Sequence, residues 1–463
     1  MHANSFMQRR EFLATTTAAS LYATTPAFSN VIKQRGRRIA PRLRITSIEP
    51  HTVCIPYHPV NHDYLFKYHG IKLQLRTLYI VKTNQPGLEG YGDAWGPATE
   101  PSELEKYIGT SPFEWLADTK LIAINMAVYD LVGKSLGLPT WKLIGAKIRD
   151  KVPVSAWTCS RPPRMMADEV THAANQGYTW LKYHVDEVQN VVAQAEAMDR
   201  VAPDGFKIHY DFNANQDFKT VAPVIKELER FAVSGRIEDP IKASDPDGWI
   251  KIREMTDLPI LGHHAPGSFV AGGQVDGMMS GHAPVRQAAK LDAIAEQAGI
   301  PIMLQNAGGT INQSFLVHQA CVFQTATIDH VNLARMWVDD ICNEQMPITG
   351  GYVSMPKGPG LGMTLNRNKL AKYEHAPRRT YRPFIVVIKY TAGPTIYVRH
   401  NPDLPNSTDN MRFLARLIKD DIPGPRPAYD NDVKTEFWQE PDSSEWQQMW
   451  NRTESGHVVS EKL

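Results

Sequence analysis

The sequence predicts an α/β fold: a modified β/α TIM-type barrel preceded by an N-terminal α+β capping domain and followed by a C-terminal extension. Short apolar or β-rich runs at residues 177–184, 208–213, 236–240 and 258–264 each end in ionisable residues. The residues closing them, Lys182, Asp211, Glu238 and His263, stand 29, 27 and 25 residues apart. That is the length a strand, a loop and a helix need before the next parallel strand. Amphipathic sequence fills most of the intervals, and alternating strands precede the series.

From the start, Arg9-Arg10-Glu11-Phe12-Leu13 precedes a weakly hydrophobic run over 14–28, the pattern of a twin-arginine export signal. The run is too short and too rich in Thr to span a membrane. Residues 1–40 therefore read as export signal and linker, and the expected location is periplasmic or secreted. The 463 residues carry a net charge of +1 from dispersed Lys, Arg, Asp and Glu. No basic stripe marks a nucleic-acid or membrane surface, and a homo-oligomer is expected. Cys54, Cys159, Cys321 and Cys342 lack Cys-x-x-Cys spacing and read as small core residues.

Residues 41–150 form the expected cap. Segments 44–55 and 76–83 alternate apolar and polar residues, as half-buried antiparallel strands do. Between them, 56–71 reads as a polar loop carrying His58, His62, Asp63, Tyr64, Lys67, Tyr68 and His69. Over 120–136, Leu121, Ile124, Ala127, Val128, Leu131 and Val132 recur at helical spacing. Gly137 ends this helix and Pro139 blocks its continuation. Asp130 on its face reads as a structural partner at the domain junction.

The barrel spans 151–345 and opens at Val152-Pro153-Val154. Only 11 residues separate His264 from the next strand candidate, 275–279, so the fifth β/α unit should be abbreviated. A helix over 285–298, a strand over 300–305, a helix over 313–324 and a final strand near 327–331 follow. Asp276, at the start of its strand, should face away from the open end. Residues 346–377 return to the cap. In the extension, 378–463, a hairpin over 384–389 and 395–399 and a helix over 411–419 are expected, and Trp438, Trp446 and Trp450 suit docking on a surface.

The strand-end residues Lys182-Tyr183-His184, Asp211-Phe212-Asn213, Glu238-Asp239-Pro240 and Gly262-His263-His264 resemble the enolase superfamily, most closely its mandelate racemase and muconate lactonizing enzyme branch. That family carries Lys-x-Lys, Asp-x-Asn, a Glu followed by an acid and Pro, and a further carboxylate at these places. Gly90-Tyr91-Gly92-Asp93 and Gly358-Pro359-Gly360-Leu361-Gly362 extend the resemblance, with Asp93 where Glu is usual. The resemblance implies a cap segment over the barrel mouth, which places Tyr64 and Lys67 among the substrate-binding candidates. It also implies a divalent metal, magnesium in the family, held by Asp211 and Glu238. The third family acid is replaced by His263 or His264, and imidazole suits Mn2+, Fe2+ or Zn2+ better than Mg2+.

Abstraction of a proton beside a carboxylate needs a base and concentrated positive charge on the carboxylate oxygens. His184 occupies the base position and titrates near neutrality as a residue type; Lys182 would steady the substrate. Asn213, His264 and Gln305 are further substrate-binding candidates, and His263 the preferred third metal ligand. The family's far-side bases are not apparent, because the nearest residues, Met278 and Gln305, exchange no protons. The reading is an exported lyase or isomerase acting on a small hydroxy-carboxylate, a sugar-acid dehydratase in preference to a racemase. The alternative is a degenerate barrel that binds a ligand without turning it over.

Overall fold

Strand alternation in the cap produces an antiparallel sheet of β1 (Ile45–Cys54), β2 (Leu75–Thr83) and β3 (Glu89–Trp95), in that order. The computed structural model describes residues 42–69, 75–214, 216–377, 383–400, 417, 422, 424 and 432–460. The expected export signal and nearly all of the helix expected over 411–419 lie outside the described residues. Between β1 and β2 the expected loop is instead mostly helix, α1 (Pro59–His69). Proline suits its first turn, where the missing N–H would have had no partner. Leu65 and Tyr68, three residues apart, share its buried face. Helix α2 (Ile122–Leu136) lies on the sheet and stops at Gly137, whose φ of 67° closes it in the left-handed conformation. The approach is tight enough to require glycine: a Cβ on Gly92 would lie 1.8 Å from the Ala123 carbonyl oxygen.

The barrel strands are β4 (Lys151–Cys159), β5 (Trp180–His184), β6 (Lys207–Asp211), β7 (Ser234–Glu238), β8 (Ile260–Gly262), β9 (Gly277–Gly281), β10 (Ile302–Asn306) and β11 (His330–Asn332). All neighbours are parallel, and β11 pairs with β4 to close the ring. Helices α3 (Pro163–Asn175), α4 (Val191–Asp199), α5 (Phe218–Leu228), α6 (Pro246–Met255), α7 (Val285–Ala298) and α8 (Thr310–Ala320) fill the connections. Between β8 and β9 there is only the single turn Ser268–Ala271, the abbreviated unit expected from the short interval. Asp276 binds Arg253 and the Ile260 amide at the start of β8, away from the open end.

The chain then forms β12 (Ile348–Thr349) and β13 (Tyr352–Ser354), the latter antiparallel to the first residues of β4, and returns through α9 (Arg367–Glu374). The extension builds a second sheet from β14 (Phe384–Tyr390), β15 (Thr395–His400), β16 (Val433–Trp438) and β17 (Val458–Ser460), ordered β16-β14-β15-β17. Helix α10 (Ser444–Arg452) covers one face, with Trp446 buried on Ile385 and Val387. Phe384, Val386, Ile388 and Phe437, on the other face, join the core shared with cap and barrel. All four cysteines are buried, and none is in a disulfide. Among the described residues no helix is long and apolar enough to cross a membrane.

Cap and barrel are bolted together by a buried ionic knot. Arg76 of β2 lies 3.3 Å from Asp93 and 2.8 Å from Asp340, and is 1% exposed. Asp93 accepts from the Gly309 amide and Asp340 from Thr310, which ties the knot to the N-terminus of α8. Asp130 accepts from the Tyr91 and Leu361 amides and from Lys134, a structural partner as expected. Arg76→Met would leave two carboxylates buried without their cation, and should cost about 3–5 kcal/mol, read as a loss in urea-denaturation free energy.

Three buried histidines outside the barrel mouth predict acid sensitivity. Burial pushes His318 down to about 4, His330 to about 3 and His400 to about 4. Their unfolded values lie near 6.5, so between there and about pH 4 the unfolded chain binds more protons. Their contribution is complete above pH 6.5 and is lost as pH falls toward 4, at up to about 1.4 kcal/mol per pH unit for each histidine. Denaturation midpoints should fall steeply from pH 6.5 to 4.5, and less steeply in His330→Gln.

Candidate active site and metal centre

Parallel register sets the site. His184 pairs with Asp211 and Asp211 with Glu238 across β5, β6 and β7, so their side chains leave neighbouring strands at one level of the barrel's C-terminal end. Lys182, two residues back on β5, points inward from the layer below. Its Nζ lies 3.0 Å from Asp211 Oδ2 and 2.7 Å from Glu238 Oε2, and donates to Gln305 Oε1 at 2.7 Å. Burial works against this ammonium, but Asp211 and Glu238 outweigh it and hold its pKa above the usual value. The Asp211 carboxyl is also desolvated, yet Lys182 and His184 hold it well below the ordinary range. Glu238 goes the other way, pushed well up by burial and by the charge of Asp211.

His184 places Nε2 3.2 Å from Asp211 Oδ2, and its ring stands edge-on to Trp157 at 5.0 Å. Asn213, in the left-handed region at φ 55°, turns its amide back onto the Asp211 carbonyl while its backbone N–H binds Asp211 Oδ1. It thus braces the Asp211 carboxylate. Of the two fifth-strand histidines, His263 faces inward, with Nδ1 3.7 Å from Glu238 Oε1. Burial, Lys182 and His264 push it down to about 2, so it is a neutral imidazole. His264 is turned outward, 54% exposed, and binds Asp239 through Nδ1 at 2.5 Å. That bond raises its pKa.

Two residues were not assigned roles from the sequence. Asp239, at φ 45°, accepts the His263 and His264 amides and so fixes the fifth-strand turn. It followed Glu238 in the quoted motif and was open to notice. His282 directly follows β9, whose end lies two residues beyond the strand predicted at 275–279. It holds φ 51°, its N–H binds the Gln305 carbonyl, and its ring lies 6.0 Å from Trp95 of the cap. Burial, Lys182 and His184 push it down to about 4, so it too is neutral. In an eight-stranded ring β9 stands opposite β5, which puts His282 across the mouth from His184. Gly281 beside it leaves room for the His263 ring, since a Cβ there would meet His263 Nε2 at 2.3 Å and force the imidazole to shift. Met278 is core. Tyr64 and Lys67 lie on α1: the Lys67 ammonium sits 4.9 Å from the Tyr64 ring and 4.6 Å from that of Phe437. No contact joins either to Lys182 or His184 among the described residues.

The donor set fits a divalent cation. Oxygens of Asp211, Glu238 and Asp239 lie within 4.8 Å of one another, as do ligand atoms of Asp239, His263 and His264. Glu238 Oε2, wholly buried, accepts no well-aligned hydrogen bond although Lys182 and His209 are near. Charge supports the fit. A divalent cation would add positive charge among Asp211, Glu238 and Asp239 beyond what Lys182 supplies, and so relieve the repulsion between Asp211 and Glu238.

Residues 165–369 match the family model described as "Enolase C-terminal domain-like". Among solved structures, a mandelate racemase/muconate lactonizing family protein from Azoarcus sp. EbN1 aligns with TM-score 0.61 at 20% identity, over 72% of this chain and 98% of that one. Residues 165–369 belong to the enolase superfamily, in its mandelate racemase/muconate lactonizing enzyme branch. The muconate cycloisomerase of Pseudomonas fluorescens aligns similarly, with TM-score 0.59 at 20% identity over 72% of this chain and 99% of that one. A D-gluconate dehydratase of Thermoproteus tenax is 25% identical over 287 residues, 56% of this chain and 57% of its own. An N-succinyl-L-Arg/Lys racemase of Bacillus cereus is 29% identical over 205 residues, 44% of this chain and 51% of its own. The chain thus spans little more than half the length of these two relatives. In this superfamily member Lys182, His184, Asp211, Glu238, His263 and Gln305 gather at one end of the barrel.

Asp211→Asn and Glu238→Gln should each weaken Mn2+ binding at least about tenfold, measured by titration with paramagnetic detection. His264→Ala, on the outer side of Asp239, should weaken it less.

Proposed function

We propose that this protein is a metal-dependent enzyme that removes the proton α to the carboxylate of a sugar acid and expels the β-hydroxyl as water. The observation that carries the reading is the convergence of His184, a buried ammonium and two metal-type carboxylates on adjacent strand ends. The named activities of the dehydratase relatives support the substrate class.

Asp211 and Glu238 would hold the cation, with Asp239, whose oxygen lies within 4.8 Å of theirs, or the inward-facing His263 as third ligand. Bound there, it supplies positive charge to the substrate carboxylate; the oxygen ligands suit Mg2+, and the imidazole suits Mn2+, Fe2+ or Zn2+. Lys182 keeps a second positive charge beside the same oxygens as the enediolate forms. His184 takes the α-proton on its imidazole, which Asp211 orients through Nε2. The Cα–H electron pair becomes the new C=C bond as the Cβ–O bond breaks. The departing hydroxide recovers the proton from His184 and leaves as water, which resets the base. The twin-arginine-like start supports action outside the cytoplasm.

His282 favours a second reading. A neutral imidazole across the mouth from His184 can serve the opposite face of a planar enediolate, so epimerisation is the competing outcome. A panel of sugar acids in D2O separates the two. His184→Asn should lose α-proton exchange by a factor of about 10² or more while Mn2+ binding persists. His282→Asn should leave dehydration standing and remove epimerisation. If His184→Asn exchanges the α-proton at the normal rate, the base lies elsewhere.

A further inference from the structure

Among the residues of the second sheet that reach the shared core, Phe437 is the one that touches α1 in two places. Phe437 of β16 packs edge-on against Tyr68 at 5.9 Å and beneath the Lys67 ammonium at 4.6 Å, both on α1. Lys67 is thereby held between Phe437 and Tyr64. Behind it, Phe437 rests on Phe384 at 5.5 Å, and Phe384 stacks on His400 at 4.7 Å, so the contact is backed by two strands of the second sheet.

The other side of α1 continues toward the barrel. The Tyr68 hydroxyl donates a short hydrogen bond to Glu187 Oε1, and Asn190 donates to Glu187 Oε2 at 2.8 Å. Glu187 belongs to the loop leaving β5, three residues beyond His184. The Asp186 and Glu187 amides both donate to Ser160 Oγ, whose hydroxyl donates to the His184 carbonyl at 3.1 Å. An unbroken series of contacts therefore runs from Phe437 through Tyr68, Glu187 and Ser160 to the backbone of the proposed base. Burial drives the Glu187 carboxyl up and the Lys67 ammonium down, so neither group sits in open water.

We infer that Phe437 is a positioning residue for the active site: the C-terminal sheet acts as a strut that holds α1 over the β5 end of the barrel mouth. A helix of 11 residues is marginal by itself, and α1 owes its placement to what packs on either side. The reading of α1 as site wall rests on the proposed function; its mechanical dependence on Phe437 does not.

The test uses the full-length chain with Phe437→Ala, Phe437→Tyr and Tyr68→Phe, and follows amide hydrogen exchange by mass spectrometry. Phe437→Ala should speed exchange in residues 59–69 about tenfold or more, while β6 and β7 stay as protected as in the parent protein. Phe437→Tyr, which restores an aromatic face, should return α1 to parent protection. Tyr68→Phe, which removes only the hydroxyl, should loosen the 185–190 loop. Should Phe437→Ala fail to fold, Phe437→Leu keeps core volume without the ring and should show the same selective loosening. Unchanged α1 exchange, or faster exchange spread equally through the barrel, overturns the inference. With a substrate in hand, KM should rise about tenfold in Phe437→Ala with kcat within about twofold; unaltered kinetics beside a loosened α1 would count against the site-wall reading alone.

Discussion

An ammonium with no access to water, lodged between carboxylates inside a barrel, constrains nearly everything else in this molecule. Lys182 can remain charged at that depth only because Asp211, Glu238 and Gln305 surround it. Those partners come from β6, β7 and β10, so the charge is satisfied only when the ring is closed in the observed register. A slip of one residue in β5 would turn Lys182 outward and replace it with Leu181 or Tyr183. The ionic cluster thus selects the alignment of the strands whose ends form the candidate site.

The same cluster explains why neutral imidazoles gather around it. Lys182 contributes to lowering His209, His263 and His282, and each would face a buried positive charge if protonated. Histidine in this setting supplies nitrogen lone pairs without adding charge, which suits ligation at His263 and proton acceptance at His282. His264, beyond the shelter of the barrel and paired with Asp239, takes the opposite character.

Much of the barrel was legible because period and interval are local properties. The spacings after Lys182, Asp211 and Glu238 and the shortened fifth unit all follow from counting residues. What was not legible depended on register or on distant partners. The β9 strand is so short and glycine-rich, Gly277 to Gly281, that its end could not be fixed within two residues, and His282 went unseen at its tip. Helix α1 reads as a polar loop because its apolar face is made of Tyr64, Leu65 and Tyr68 set among histidines, and Tyr68 finds Glu187 and Phe437 far away in the chain. Whether His263 or His264 turns inward was decided by the carboxylate of Asp239 and by the absence of a side chain at Gly281.

The packing of Phe437 on Tyr68 joins positions about 370 residues apart in the chain, a separation that makes the contact among the last a growing polypeptide can form. During synthesis the cap strands and the barrel can assemble while the second sheet is still within the ribosome. The wall over the β5 loop, however, has no backing until the final strands emerge. A copy truncated before β16 therefore carries the strand-end residues without the brace on α1, and the emergence of β16 becomes the event that backs this helix.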